Sequence, residues 1–94
     1  MEIKWLRNGL RNLENVENYI SQNNPEAATQ VIVKIRSSVN QLAAYPYMGR
    51  EGRVEGTREL VISQTPYIVV YRVRQETVEI LRVLHSARRW PKKF

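Results

Sequence analysis

The sequence predicts an α+β fold of element order β-α-α-β-β-β, with an antiparallel helical hairpin packed on one face of a mostly antiparallel four-stranded sheet. Three observations carry this reading. Apolar residues alternate near both ends of the chain. They recur at helical spacing in two stretches between residues 10 and 42. The last three extended stretches are joined by links too short for anything but a turn.

The first element is a short strand over residues 1–6, in which Ile3 and Trp5 face one way and Glu2 and Lys4 the other. Residues 7–9 turn the chain. From Leu10 the spacing changes to Leu10, Leu13, Val16 and Ile20, with Tyr19 beside them, which is one face of a helix. Ser21-Gln22-Asn23-Asn24 ends it. Asn24-Pro25-Glu26 starts a second helix: Asn caps free N–H groups, Pro at the first position sacrifices no bond, and Glu suits the positive end of the dipole. Its stripe runs Ala27, Ala28, Val31, Ile32, Ile35, Val39 and Leu42, and Tyr45-Pro46 terminates it, because a residue before proline avoids the helical region. Residues 47–57 hold three of the four glycines and read as an irregular loop. Three strands follow, over 58–63, 67–74 and 78–85, separated by Gln64-Thr65-Pro66 and by Gln75-Glu76-Thr77. A basic, irregular tail covers 87–94.

In the strand over 67–74, Tyr67, Val69, Tyr71 and Val73 share one face, and Ile68, Val70, Arg72 and Arg74 the other. The helical hairpin is the only element able to cover one side of the sheet. The second side is therefore expected to be bare, partly concave and cationic, a surface for another macromolecule.

Length and composition narrow the classes. Residues 1–94 are expected to form a single domain, since 94 residues leave no room for two cores. With no cysteine there is neither a disulfide framework nor a thiolate metal site. No apolar run approaches the ~20 residues that cross a bilayer, and the first residues lack the apolar core of a secretory signal, so the expected location is cytoplasmic. Charge is the more informative property. Fifteen Lys and Arg oppose nine acids, all Glu, for a net +6. Residues 1–49 carry only +1 of this and residues 50–94 carry +5; from Ile80 onward there are five basic residues and no acid. Such a patch suits a polyanionic partner, although a solvated basic surface gives the same count.

One histidine without cysteine or aspartate cannot make an ordinary zinc site, and Gly49-Arg50-Glu51-Gly52 lacks the spacing of a phosphate-binding loop. No metal or other cofactor is expected. A Ser/His/Asp triad is excluded by the absence of aspartate. What remains is a set of cations and aromatics. Cutting RNA through its own 2′-hydroxyl needs a base, an acid and positive charge at the phosphorus, which Arg, His and Tyr can supply without metal. The available parts are Arg58, Arg72, Arg82, His85 and Arg88, with Tyr67 and Tyr71, although both tyrosines alternate with valines and suit the core. His85 has two readings, a proton-transfer group or a strand-end side chain bonded to nearby backbone. Trp90 can stack on a base or cap the core's edge. Candidates for binding a target are Arg58, Arg72, Arg74, Arg82, Arg88, Arg89 and Trp90.

Arg58-Glu59-Leu60, then Thr65-Pro66-Tyr67-Ile68-Val69-Val70-Tyr71-Arg72-Val73, then Val78-Glu79-Ile80-Leu81-Arg82-Val83-Leu84-His85-Ser86-Ala87-Arg88 resemble the C-terminal sheet of the RelE/ParE toxin superfamily. Upstream, Leu13, Tyr19-Ile20, Asn24-Pro25-Glu26-Ala27-Ala28 and Tyr45-Pro46-Tyr47-Met48-Gly49-Arg50 resemble its helical hairpin and the loop after it. The resemblance implies the toxin half of a type II toxin–antitoxin pair, neutralised by an antitoxin whose flexible acidic or amphipathic C-terminal segment wraps the toxin. Ile68, Val70, Arg72 and Arg74, on the face expected to be bare, are the candidates for holding that segment.

The superfamily divides by activity. RelE-type members cut mRNA on the ribosome with Arg, Lys and Tyr or His on the concave face, whereas ParE-type members lack those groups and poison DNA gyrase. Here Ile68 and Ser63 stand where subgroups of ribonucleases carry arginine, and no tyrosine follows Tyr71. That depletion leans toward the gyrase-poisoning, plasmid-stabilisation type. His85 and Arg88 keep an mRNA endoribonuclease as the alternative, with them as catalytic residues. A catalytically inert antitoxin-binding module is a third reading. The concentration of charge around Trp90 further predicts that removing the tail after His85 abolishes toxicity while sparing part of antitoxin binding.

Overall fold

The computed structural model describes residues 1–94. Strand β1 (Glu2–Trp5) leads into helix α1 (Arg7–Ser21), helix α2 (Pro25–Asn40) and a 3-10 turn (Gln41–Ala43). Strands β2 (Arg50–Glu51), β3 (Arg58–Val61), β4 (Tyr67–Arg74) and β5 (Thr77–His85) follow. The predicted class and order hold, with one strand more than expected. The sheet has five strands in the order β1-β5-β4-β3-β2, antiparallel except that β1 lies parallel to β5. The extra strand is Arg50–Glu51, inside the segment read as an irregular loop, where it pairs with Glu59 and Arg58.

Local chemistry sets the helix ends. The Asn24 side chain accepts the Ala27 N–H at 3.1 Å, and Pro25 takes the first helical position. Helix α1 begins at Arg7, before the expected Leu10. Its early start brings Gly9 against β5, where a Cβ would come within 2.7 Å of the Ile80 carbonyl oxygen. Only glycine lets the two backbones approach this closely.

The helices cover one face of the sheet. Leu13, Val16, Ile35, Val39 and Leu42 meet Leu60, Tyr67, Val69, Tyr71, Val78, Ile80 and Val83 there, and Ile3 and Trp5 pack at the margin. Tyr71 is fully buried; its hydroxyl donates to the Pro46 carbonyl at 2.8 Å and accepts the Gly49 N–H at 2.9 Å. One phenol thus satisfies two backbone groups of the 45–49 turn and fixes its shape. Two residues of the expected α1 stripe do not join the core: Leu10 is 41 % and Tyr19 58 % exposed.

The second face departs from the sequence reading. It is not bare. Ile68 and Val70 are 4 % and 0 % exposed, and Leu81 is buried with them, yet none belongs to the cluster under the helices. Val70 lies opposite Glu59 on β3 and Arg82 on β5. The Glu59 carboxylate, 3 % exposed, holds Arg50 and Arg53, and the Arg53 guanidinium lies 3.5 Å from the centre of the Trp90 ring. Phe94 reaches Arg82, 5.1 Å from ring centre to guanidinium. The tail and the 52–56 loop therefore fold back over this side. The physical reason is the cost of leaving Ile68, Val70 and Leu81 in water, about 25 cal/mol for each Å² of apolar surface.

Candidate functional site

A β-bulge decides which residues meet. Val70 pairs with Arg82, but its neighbour Tyr71 pairs with Ile80, so Leu81 is an extra residue in β5. Before the bulge the even-numbered residues Val78 and Ile80 face the helices; after it the odd-numbered Val83 and His85 do. His85 is turned away from the second face by this one insertion, and its ring meets Tyr67 edge-on with centroids 5.6 Å apart. His85 thus lies on the helix side of the sheet, apart from the second face that carries Arg72 and Arg82.

Beside His85, between α1 and the end of β5, lies a half-open cavity of about 370 Å³. It gathers five of the residues singled out by sequence, Tyr67, His85, Arg88, Arg89 and Trp90, with Asn12, Asn15 and Tyr19. No acid lines it. Arg88 stands 5.3 Å from the Tyr19 ring centre. The His85 Nδ1 accepts the Ala87 N–H at 3.1 Å, which assigns the proton of the neutral ring to Nε2. The Trp90 indole donates to the His85 carbonyl at 3.0 Å and folds the tail against the strand end. Burial pushes the Tyr67 hydroxyl above the ordinary tyrosine value, partly opposed by the charge of Arg88, so it enters the site as a neutral donor.

The other candidates lie elsewhere, and Arg58, Arg72 and Arg82 are engaged. Arg72, on the second face, is bound to Glu79 at 2.6 Å, and this contact holds the Glu79 carboxyl below the usual carboxylate range. Arg58 turns to the helix side, donating to the Gly49 and Tyr47 carbonyls at 2.8 and 3.3 Å. Arg82 donates to the Leu81 carbonyl and lies against Phe94. Arg74 is exposed at the end of β4, and Ile68 and Val70 are covered. The strand cations do not converge on one point.

Sequence reasoning missed Asn12, Asn15 and Tyr19, whose spacing puts them on one flank of α1 and is the signal that could have found them. It also missed Glu59. Burial raises the Glu59 carboxyl, but the Arg53 backbone N–H and the guanidiniums of Arg50 and Arg53 more than offset this and leave it below the usual range. No three His, Cys, Asp or Glu side chains stand close enough together to hold a metal ion. No helix is long and apolar enough to cross a membrane.

Fold and site together define a small cationic α+β protein with a helical hairpin on a twisted sheet and an acid-free cavity at the end of its last strand. Residues 3–90 match the family model of the ParE toxin of the type II toxin–antitoxin system, parDE, and the chain belongs to that family. It is 44% identical over 89 residues to the protein Y4kP of Sinorhizobium fredii, named as a toxin, covering 95% of this chain and 92% of that one. It is 33% identical over 87 residues to toxin RelE2 of Caulobacter vibrioides, covering 93% and 97% of the two chains. Among solved structures, a chain of the chromosomal ParDE toxin–antitoxin system from P. aeruginosa superposes with a TM-score of 0.80 at 28% identity, covering 90% of this chain and 95% of that one. The chain is a type II toxin–antitoxin toxin of the ParE/RelE superfamily.

Proposed function

We propose that this toxin arrests growth by binding DNA gyrase and trapping it on cleaved DNA, and that it acts in the cytoplasm under the control of a cognate antitoxin. One observation carries the choice of target. The second face, on which a ribonuclease of this superfamily would assemble its cations, is occupied by the chain's own tail, and Arg72 on that face is tied to Glu79. A developing phosphorane needs donors that are free and already aimed at it. Arg58, Arg72 and Arg82 instead satisfy a carboxylate and carbonyls of the protein.

The direct test incubates purified chain with gyrase and supercoiled plasmid. Accumulation of linear, enzyme-linked DNA is the expected result, abolished when the antitoxin is added. Unchanged supercoiling at excess toxin would reject the reading.

A second reading has one observation in its favour: His85, Tyr67 and Arg88 line a common cavity, a combination able to move protons and carry charge in RNA cleavage. It requires cuts in translated message, mapped by primer extension, that vanish in a His85→Ala, Arg88→Ala double variant. Message that stays intact during growth arrest excludes it.

A further inference from the structure

The turn between the 3-10 helix and β2 is fixed from within, yet its side chains face water. The Tyr71 hydroxyl holds the Pro46 carbonyl and the Gly49 N–H at 2.8 and 2.9 Å. Arg58 donates to the carbonyls of Tyr47 and Gly49, and the Met48 N–H reaches the Tyr45 carbonyl at 3.2 Å. Tyr45, Tyr47 and Met48 are nevertheless 67 %, 60 % and 46 % exposed, and none joins the core. The Arg58 guanidinium carbon stands 5.1 Å from the Tyr47 ring centre. Next to this ring opens a hollow of about 390 Å³, walled by Thr57, Arg58 and Val73 among others. A turn ordered in advance keeps its side chains poised and loses little further freedom when it binds.

We propose that Tyr45, Tyr47 and Met48 are the anchors by which the toxin grips a protein surface of its target. The inference rests on the gyrase reading and places the contact on the enzyme's polypeptide rather than on its DNA. Charge makes that choice. The chain as a whole carries +6, but residues 45–59 hold three arginines and three glutamates, a net of zero. Arg50 and Arg53 are tied to Glu59, Arg58 to carbonyls, and Glu51 stands exposed beside the turn. Binding to DNA draws on a surplus of free cations over phosphates, and none is gathered here. Protein interfaces are instead enriched in tyrosine, methionine and arginine and depleted in lysine. Tyrosine brings a large, stiff, amphipathic ring, and methionine adapts to an irregular hollow. The fitting partner surface is an apolar depression whose rim offers acceptors to the two phenol hydroxyls. The turn contributes nothing to the lining of the cavity at His85, so the two surfaces are separate.

The test compares the full chain with a Tyr45→Ala, Tyr47→Ala, Met48→Ala variant in the gyrase cleavage assay. The toxin concentration giving half-maximal cleavage should rise by about tenfold or more, as loss of aromatic anchors predicts. The melting temperature should stay with the parent's, since all three side chains lie outside the core. Should the triple variant melt early, the single Tyr45→Ala and Tyr47→Ala variants repeat the measurement. The parent should also bind purified gyrase subunits without DNA, with little change between about 50 and 200 mM salt, a range over which phosphate contacts lose orders of magnitude in affinity. A folded variant as potent as the parent overturns the proposal and leaves the gyrase reading standing; if that variant has lost its antitoxin, the turn belongs to the antitoxin contact instead. Binding that needs DNA and collapses with salt overturns it in favour of a nucleic-acid contact. A parent chain that never engages gyrase overturns both.

Discussion

The Arg53 guanidinium lies over Trp90, its carbon 3.5 Å from the ring centre, while its Nε reaches the buried Glu59 carboxylate at 3.2 Å. A residue of the tail and a residue of β3 are thereby joined through one side chain. The arrangement uses both properties of arginine, a planar face that stacks and an edge that pairs with a carboxylate.

Glu59→Gln should destabilise the protein by about 2 kcal/mol at neutral pH, because a buried carboxylate holding two arginines is replaced by a group unable to satisfy them. Trp90→Ala should cost a similar ~2 kcal/mol, the loss of a half-buried aromatic and its cation–π contact. Urea unfolding of each variant measures the effect, and a change under ~0.5 kcal/mol in both would mean the tail is not held as described.

The pH dependence has a definite sign. Both Glu59 and Glu79 are held below the ordinary carboxylate value. Groups shifted this way stabilise the fold fully above the unfolded-state value and lose that contribution as pH falls through the folded-state value. Stability should thus decline below pH ~4, where carboxylates begin to protonate. The gap between parent and Glu59→Gln should narrow in the same range. Parallel melts at neutral and acid pH supply the comparison; a gap that widens in acid would contradict the assignment.

Gly49 should tolerate no side chain. A Cβ there would stand 2.6 Å from the Tyr71 hydroxyl and 2.9 Å from the Glu59 carbonyl oxygen. Gly49→Ala is expected to cost about 3 kcal/mol through overpacking. Tyr71→Phe is milder at about 2 kcal/mol, since it removes no volume from the core but strands the Gly49 N–H and the Pro46 carbonyl. Thermal melts in which the alanine variant proved the more stable of the two would refute this ordering.

The β4–β5 turn offers a stabilising change. Gln75 and Glu76 have φ of 52° and 61°, the left-handed conformation of a two-residue hairpin turn. Neither side chain suits that region, which Asn and Gly adopt readily. Combining Gln75→Asn with Glu76→Gly should add about 1 kcal/mol, or roughly 4–8 °C in Tm for a domain of this size. An unchanged or lower Tm would rule the strain out.

Much of the scaffold was legible because it is written in local periods. The bounds of β4 and the Asn24 cap followed from neighbours in sequence, and so did the helical pair. What escaped was of three kinds. The two-residue β2 is too short to show a period. The bulge at Leu81 looks like any other apolar residue, yet it reverses the side on which His85 lies. The cover over Ile68 and Val70 depends on Glu59, Arg53 and Trp90 meeting across the chain, which no local pattern records. Of the candidate site, the cluster at 85–90 was visible as a run of basic and aromatic residues, while Asn12 and Asn15 of its α1 wall fall outside the helix's apolar stripe and Tyr19 reads as part of it. Truncation after His85, predicted to silence toxicity selectively, would in this fold also expose Ile68, Val70 and Leu81, so the Trp90 variant is the cleaner probe of the tail.

The sheet places Ile3 beside Val78, so two strands far apart along the chain must find each other before this edge of the sheet can form. The helical hairpin can form from contacts within residues 7–40, but β1 has no strand to pair with until β5 is in place. Contacts of such long sequence separation fold slowly. Closure of the sheet at β1 is therefore the step expected to limit the rate at which the native surface is completed.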